Sequence, residues 1–389
     1  MNGGAATGQS VAMVAGEVSG DMLAARLIAG LRPQLPQARF HGIGGPRMIE
    51  QGFASALPIE SLAVGRMLEI IPRYRAIKAI QNTMRDRLLA ERPAVFIGAD
   101  YPGFNLGLEM QLKEAGIPTV HFVSPQIWAW RGGRIKKIIK AVSHMLLIFP
   151  FEEEIYRKAG VPCTYIGHPL AETIPLQPDQ DAARRALGLP LDVRVVTVMP
   201  GSRMSELKYL ASPFIQAVKL LVARDPDLRF VVPMAGARQR AYFEELVRTH
   251  GLADVRIDLT DDSHTAIAAA DAVLVASGTA TLEVALFKKP MVIAYKVQRA
   301  SWEIMRHMGY QPWIGLPNIL AREFVVPELL QHACEPRQLA DAVWQQLSDA
   351  PGRVRLVQRF TDMHNSLLRD SAALSANAVM QVIASSKSS

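Results

Sequence analysis

Short runs of wholly apolar residues recur along the chain, and nearly every run ends in a glycine, serine or proline turn. The turns lead into stretches whose apolar positions are three and four apart, the spacing of a helix with one buried face. Runs without alternation suit strands covered on both sides, so the pattern predicts parallel sheets flanked by helices. In the first half the runs are Val11–Ala15, Phe40–Gly45, Pro93–Gly98, Thr119–Val123, Leu146–Phe149 and Tyr165–Gly167, with helical spacing over Met22–Leu31. The pattern restarts at Arg194–Met199 and continues through Arg229–Pro233, Val255–Ile257, Ala272–Ala276 and Met291–Tyr295. Helical stretches Leu210–Arg224, Gln239–His250 and Ser263–Ala270 lie between them. Ile174–Asp181 has the proline and polar content of a linker. The expectation is an α/β chain of two doubly wound domains, 8–172 and 182–350, followed by a helical tail over 351–389.

A length of 389 residues exceeds what one hydrophobic core usually supports, which agrees with two domains. The net charge of +7 suits phosphorylated ligands, an anionic membrane surface or a polyanion equally, so the position of the basic residues decides more than their sum. Two cysteines, Cys163 and Cys334, lie far apart and without metal-ligand spacing, which points to a reducing compartment and no disulfide framework. The first ten residues lack the pattern of a signal peptide, and no apolar run reaches the roughly 20 residues of a membrane-spanning helix. The expected location is the cytoplasm, with any membrane contact peripheral.

Candidate chemistry gathers at the strand-to-helix turns, because ligands of doubly wound sheets bind beyond the carboxyl ends of the strands. The first turn carries Gly16, Glu17, Ser19, Gly20 and Asp21, and its acids serve either as helix-capping groups or as ligand contacts. It does not match the dinucleotide fingerprint. Asp100 follows a buried run on a proline and glycine loop, where a carboxylate faces the crevice. In the second half, Gly201, Ser202 and Arg203 form a turn whose arginine can pair with phosphate, and Ser277, Gly278 and Thr279 open a helix that carries Glu283. Asn318 follows a proline in a short loop. Asp225-Pro226-Asp227 has the spacing of a metal-bound nucleotide-sugar motif but sits between a helix and a strand, where it reads as a turn.

Two stretches mix basic and large apolar residues. Arg66–Lys78 contains Met67, Leu68, Ile70, Ile71 and Arg73 with one acid, and reads either as an interfacial helix or as an ordinary amphipathic one. Gln126–Lys140 places Arg131, Arg134, Lys136, Lys137 and Lys140 beside Trp128 and Trp130, a combination suited to lipid headgroups or phosphates. His121 reads as a core residue.

Taken together, Ala15–Asp21, Gly98–Asn105, Val123–Arg131, Ile166–Pro169, Pro200–Glu206, Ser277–Glu283 and Leu316–Asn318 resemble, in order and spacing, the lipid-A-disaccharide synthase family over nearly the whole chain. The resemblance implies a GT-B fold, with two Rossmann-like domains facing a cleft. It implies an inverting hexosyltransferase that condenses UDP-2,3-diacylglucosamine with 2,3-diacylglucosamine 1-phosphate to a β-1,6-linked disaccharide and UDP, with no cofactor and no required metal. Asp100 matches the family's proposed general base, with Glu17 in support. Gly201, Ser202, Arg203, Glu206, Ser277, Gly278, Thr279, Glu283 and Asn318 would form the UDP-donor site, Glu283 holding the ribose. Acylated substrates favour the interfacial reading of Met67, Leu68, Ile70, Ile71 and Arg73, on the cytoplasmic face of the inner membrane. Nucleic acid is not an expected partner, and a homo-oligomer stays open. Gly65-Arg66 and Arg322 depart from the family pattern. The rivals are another GT-B enzyme, such as a UDP-GlcNAc 2-epimerase or an undecaprenyl-linked N-acetylglucosaminyltransferase, and a non-catalytic basic protein that binds membrane or polyanions.

Overall fold

The computed structural model describes residues 9–62, 70–128, 132–299, 302–303 and 312–387, with the side chains of 70–73 outside the description. They form two compact units, residues 1–169 with 367–389, and residues 170–366.

The first unit holds β1 (Ser10–Ala15), α1 (Val18–Leu31), β2 (Arg39–Ile43), α2 (Pro46–Glu50), β3 (Ala54–Ser55), α3 (Ile70–Glu91), β4 (Val95–Ala99), α4 (Pro102–Glu114), β5 (Thr119–Phe122), α5 (Ile135–Ala141), β6 (His144–Leu147), α6 (Glu152–Lys158) and β7 (Cys163–Tyr165). Its sheet is parallel in the order β3-β2-β1-β4-β5-β6-β7. Strand order reverses direction between β1 and β4, whose apolar runs are buried along almost their whole length because helices cover both faces. Pro72 falls in the first turn of α3, where the missing N–H costs nothing.

The second unit holds α7 (Pro169–Thr173), α8 (Gln180–Ala186), β8 (Val195–Met199), α9 (Met204–Arg224), β9 (Arg229–Pro233), α10 (Ala237–Thr249), β10 (Ile257–Thr260), α11 (Ser263–Ala269), β11 (Ala272–Ala276), α12 (Ala280–Leu286), β12 (Met291–Tyr295), α13 (Leu316–Ala321), β13 (Glu328–Leu330), α14 (Pro336–Ser348) and α15 (Ala350–Leu367). The order is β10-β9-β8-β11-β12-β13, again all parallel, with its switch point between β8 and β11. Both sheets therefore have the Rossmann order. β10 starts two residues later than its apolar residues suggest, because Val255 closes a turn onto Leu252 O. α9 starts at Met204 rather than Leu210, so the Gly201–Arg203 turn leads straight into a long helix.

The last helix, α16 (Ser371–Lys387), belongs to the first unit. The stretch expected as one tail, 351–389, is thus divided: α15 completes the second unit and α16 packs on α1. Gly30 makes that packing close, since a Cβ there would lie 2.6 Å from Ala372 O. Ala376, Val379 and Ile383 are buried in the same core as Leu27 and Ile28.

Candidate active site

In the first unit the carboxyl ends of β1 and β4 form the switch-point crevice, and Asp100 is the residue after β4. Asp100 and Tyr101 both have left-handed backbone, with φ of 54° and 49°. Such backbone costs about 1–2 kcal/mol per residue and persists only where neighbours enforce it. Three contacts do so here. Asp100 N–H donates to Phe122 O (2.8 Å), Asp100 O accepts from Asn105 Nδ2 (2.8 Å), and Asp100 Oδ1 accepts from Tyr101 N–H (2.8 Å). Ser19, at the start of α1, donates to Asp100 Oδ2 (3.3 Å). The carboxylate is left half-buried at the carboxyl end of the central strands.

The glycines of the first turn prove to be packing residues. A Cβ on Gly16 would meet the Tyr101 ring at 2.5 Å, and one on Gly20 would sit 2.9 Å from Ala99 O. Asp21 is no ligand contact: its buried carboxylate accepts from the N–H groups of Gly45 (2.8 Å), Arg47 (3.0 Å) and Met48 (3.2 Å) and so caps α2. Glu17 is exposed at the N-cap position of α1, two residues beyond β1, the strand that pairs with β4.

Behind Asp100 lies a buried polar cluster. His121 Nδ1 and Glu109 Oε1 are 2.7 Å apart with both side chains fully buried, and burial raises the Glu109 pKa. Gly98 pairs with His121 across the sheet, and any side chain on it would collide with Glu109 and Asn105. Val123, a β-branched residue at φ 76°, follows the next strand. The cluster was not foreseen beyond the reading of His121 as a core residue.

In the second unit a cavity of about 340 Å³ opens at the β8 and β11 ends. Gly201, Ser202, Arg203, Glu206, Ser277, Gly278, Thr279 and Glu283 all line it. Met234, at the end of β9, and Asp261, before α11, also reach it, and neither stood out in the sequence. The Arg203 side chain is 78 % exposed and pairs with Glu206. Glu283 is raised by burial, an effect opposed by His264, whose Nε2 lies 3.7 Å from its carboxylate.

Two expected ligand contacts take other work. Glu206 Oε2 accepts from the N–H groups of Ser202 (3.0 Å) and Arg203 (3.2 Å), and Oε1 lies 3.1 Å from the Arg203 guanidinium. A carboxylate repels a diphosphate, so Glu206 holds the turn and the start of α9 in the manner of a capping box. Gly201, at φ 116°, is required there because a Cβ would meet Glu206 at 2.5 Å. Asn318 is absent from the cavity wall and fully buried. Its Nδ2 donates to Val326 O (2.9 Å) and Glu328 Oε1 (2.8 Å), while Oδ1 accepts from Val325 N–H (2.8 Å) and Val326 N–H (3.0 Å). An amide has two donor hydrogens and two lone pairs, so none is left for a ligand. Asn318 instead clamps the loop that follows α13, while Ser277 and Thr281 tether the segment before that helix through Ile314 O and Leu316 N–H.

Of the two basic stretches, Met67 and Leu68 lie outside the described residues, as do the side chains of Ile70, Ile71 and Arg73. Trp130 and Arg131 lie outside them as well. Trp128 is buried and packs edge-on against Phe149 and Phe151, so it anchors the core, whereas Lys136, Lys137 and Lys140 are exposed. Asp225 accepts from Asp227 N–H (3.1 Å) in the expected turn. No described helix is long and apolar enough to cross a membrane.

The computed structure is similar over 97 % of its length to a putative UDP-N-acetylglucosamine 2-epimerase from Listeria monocytogenes, with a TM-score of 0.61 and 13 % identity, covering 96 % of that chain. At that identity the likeness speaks for the GT-B fold alone. The sequence is 50 % identical over 387 residues to the lipid-A-disaccharide synthase of Bordetella avium, covering 96 % of this chain and 98 % of the relative. It is 53 % identical over 379 residues to that of Burkholderia thailandensis, covering 97 % of each. A family model described as lipid-A-disaccharide synthetase matches residues 11–381. With relatives half identical along nearly their whole length and a Rossmann-ordered sheet in each unit, the chain belongs to the lipid-A-disaccharide synthase family of hexosyltransferases.

Proposed function

We propose that the chain joins UDP-2,3-diacylglucosamine to 2,3-diacylglucosamine 1-phosphate, giving the β-1,6-linked disaccharide 1-phosphate of lipid A and UDP, with inversion at the anomeric carbon. The observation that carries the assignment of the base is Asp100, held in left-handed backbone at the switch-point crevice of the first unit. Its carboxylate takes the proton of the acceptor's 6-hydroxyl while that oxygen attacks the donor's anomeric carbon. The bond to the β-phosphate oxygen breaks and its electron pair leaves on UDP. Glu17 on the neighbouring strand end supports the acceptor.

The second unit holds the leaving group. Arg203 and the N–H groups of the Gly201–Arg203 turn meet the diphosphate, which exchanges with the Glu206 carboxylate for the same donors. Preorganised donors of this kind each lower a barrier by about 3 kcal/mol. Glu283 receives the ribose hydroxyls. Met67, Leu68, Ile70, Ile71 and Arg73 rest on the cytoplasmic face of the inner membrane, where both acylated substrates reside.

Disaccharide formation from the two purified substrates is the test, with Asp100→Asn as the diagnostic variant. The variant should lose turnover and keep its UDP affinity. Turnover near the wild-type rate would remove Asp100 as base, and a wild-type chain that makes no disaccharide would remove the whole reading in favour of another GT-B reaction.

A further inference from the structure

The second unit has another cavity, of about 480 Å³, larger than the one at the nucleotide turns and formed at the opposite ends of the strands. Asp271 and Pro290, which precede β11 and β12, sit on its wall with α15. Its volume lies within the range of small-molecule sites.

The charges around it do not balance. Asp271 is the only carboxylate on the wall, and its oxygens are already taken by Arg184 (2.7 Å), Val195 N–H (2.8 Å) and Gln180 (3.2 Å). Three cations face it. The Lys288 ammonium donates to Leu286 O (2.5 Å), Pro175 O (3.3 Å) and His364 Nδ1 (2.6 Å), which uses its three hydrogens. Lys289 is different: only 8 % of it is exposed, it lines the cavity, and its ammonium makes no hydrogen bond or ion pair among the described residues. Arg353 donates to Leu347 O (3.1 Å), and its buried Nε has no partner there. Most of the Lys289 side chain is out of water, which disfavours its charge; Asp271 offsets part of that cost, and an anion in the cavity would offset more. Burial lowers Lys289 to about 8, so at neutral pH it still carries its charge.

We propose that this cavity is a binding site for a small phosphorylated molecule, a phosphomonoester whose phosphate sits between Lys289 and Arg353. The dianion supplies acceptors for the ammonium and for the guanidinium fork, which matches phosphate geometry. The volume beyond the phosphate is lined by the apolar Phe287, Pro290 and Val357 and by the polar Thr361 and Asn365. A sugar, with apolar faces and hydroxyl edges, fits such a lining; a bare anion leaves most of it empty.

The probes are glucose 1-phosphate and inorganic phosphate, titrated calorimetrically into the full chain saturated with UDP, and into Lys289→Gln and Arg353→Gln. Wild type should bind glucose 1-phosphate more tightly than inorganic phosphate, and each substitution should weaken it about tenfold, the effect of one charge-assisted hydrogen bond. Lys289→Gln removes a charge that burial disfavours and that makes no hydrogen bond among the described residues, so its melting temperature should equal or exceed that of wild type, which separates lost binding from lost folding. Absence of binding at millimolar glucose 1-phosphate, or equal affinity in wild type and both variants, would overturn the site. Equal affinity for the two probes would overturn the phosphomonoester.

Discussion

Replacing Asn105 by alanine tests whether the backbone at Asp100 is enforced from behind. Asn105 is fully buried, and its Nδ2 donates to Asp100 O (2.8 Å), a partly buried bond, and to Val14 O (3.3 Å), a buried one. Truncation leaves two carbonyls without their amide donor, a loss of about 2 kcal/mol of stability for the better of the two bonds and less for the longer one. The larger effect falls on turnover. Asp100 and Tyr101 stay left-handed against a preference of about 1–2 kcal/mol each, so removing one of three restraints lets the loop relax toward ordinary backbone. A general base displaced by about 1 Å costs on the order of 100-fold in rate. Initial rates of disaccharide formation at saturating substrate should therefore fall by that factor, while the donor KM changes little, since the residues proposed to hold the nucleotide belong to the other unit. Urea denaturation on the same sample shows whether the variant is folded. A folded Asn105→Ala enzyme with kcat near wild type would refute the reasoning, because Asp100 would then need no restraint from Asn105.

Further outcomes follow from the same geometry. Arg203→Ala should weaken UDP binding by about tenfold in direct titration, the value of a charge-assisted contact to phosphate, and an unchanged affinity would remove Arg203 from the site. Glu206→Gln keeps an acceptor for the Ser202 and Arg203 N–H groups but removes a negative charge from beside the diphosphate, so UDP should bind severalfold more tightly. Weaker binding would show that the carboxylate itself is needed. Glu152 is buried, and burial pushes its pKa from 4.5 up to about 8. Between those values the folded chain keeps a proton that the unfolded chain has released, so Glu152 makes stability fall as pH rises through that window. In Glu152→Gln that fall should be shallower by up to about 1.4 kcal/mol per pH unit in urea melts; an unchanged slope would show that the group is ionised throughout.

The strands, their turns and the position of Asp100 were legible because each is local: an apolar run, the glycine that ends it, and the first polar residue beyond. What was not legible depends on partners distant in sequence. Asp21 could not be separated from a ligand contact until Gly45–Met48 supplied its three donors. Asn318 looked available because Val325, Val326 and Glu328, which saturate its amide, reach it only through the loop before β13. Glu206 was hidden for a different reason. Arg203 stands where a capping box usually has serine or threonine, so the reciprocal half of the signature was missing. The rear cavity joins positions from 176 to 365, a grouping no window of the sequence contains.

The two switch points also differ in a way that suits one fold, repeated twice, to the two kinds of chemistry proposed. In each unit the first strand ends at a glycine, Gly16 after β1 and Gly201 after the proline that follows β8. The residues after the second strand of the crevice decide what that space becomes. In the first unit the left-handed Asp100-Tyr101 pair turns the Tyr101 ring onto Gly16, within 2.5 Å of where a Cβ would be, and its hydroxyl donates to Leu62 O (3.0 Å). The ring fills the place a phosphate would need and leaves a carboxylate at the edge. In the second unit small residues follow β11, and nothing lies within 4 Å of a Cβ built on Gly278. That crevice stays open in front of the N-terminus of α9, where the Ser202 and Arg203 N–H groups already hold one anion, the Glu206 carboxylate. Exchanging the two roles would require both an aromatic ring beside Gly201 and an empty space beside Gly16. On the proposed assignment, the division between proton transfer and leaving-group binding is set by the two or three residues that follow β4 and β11.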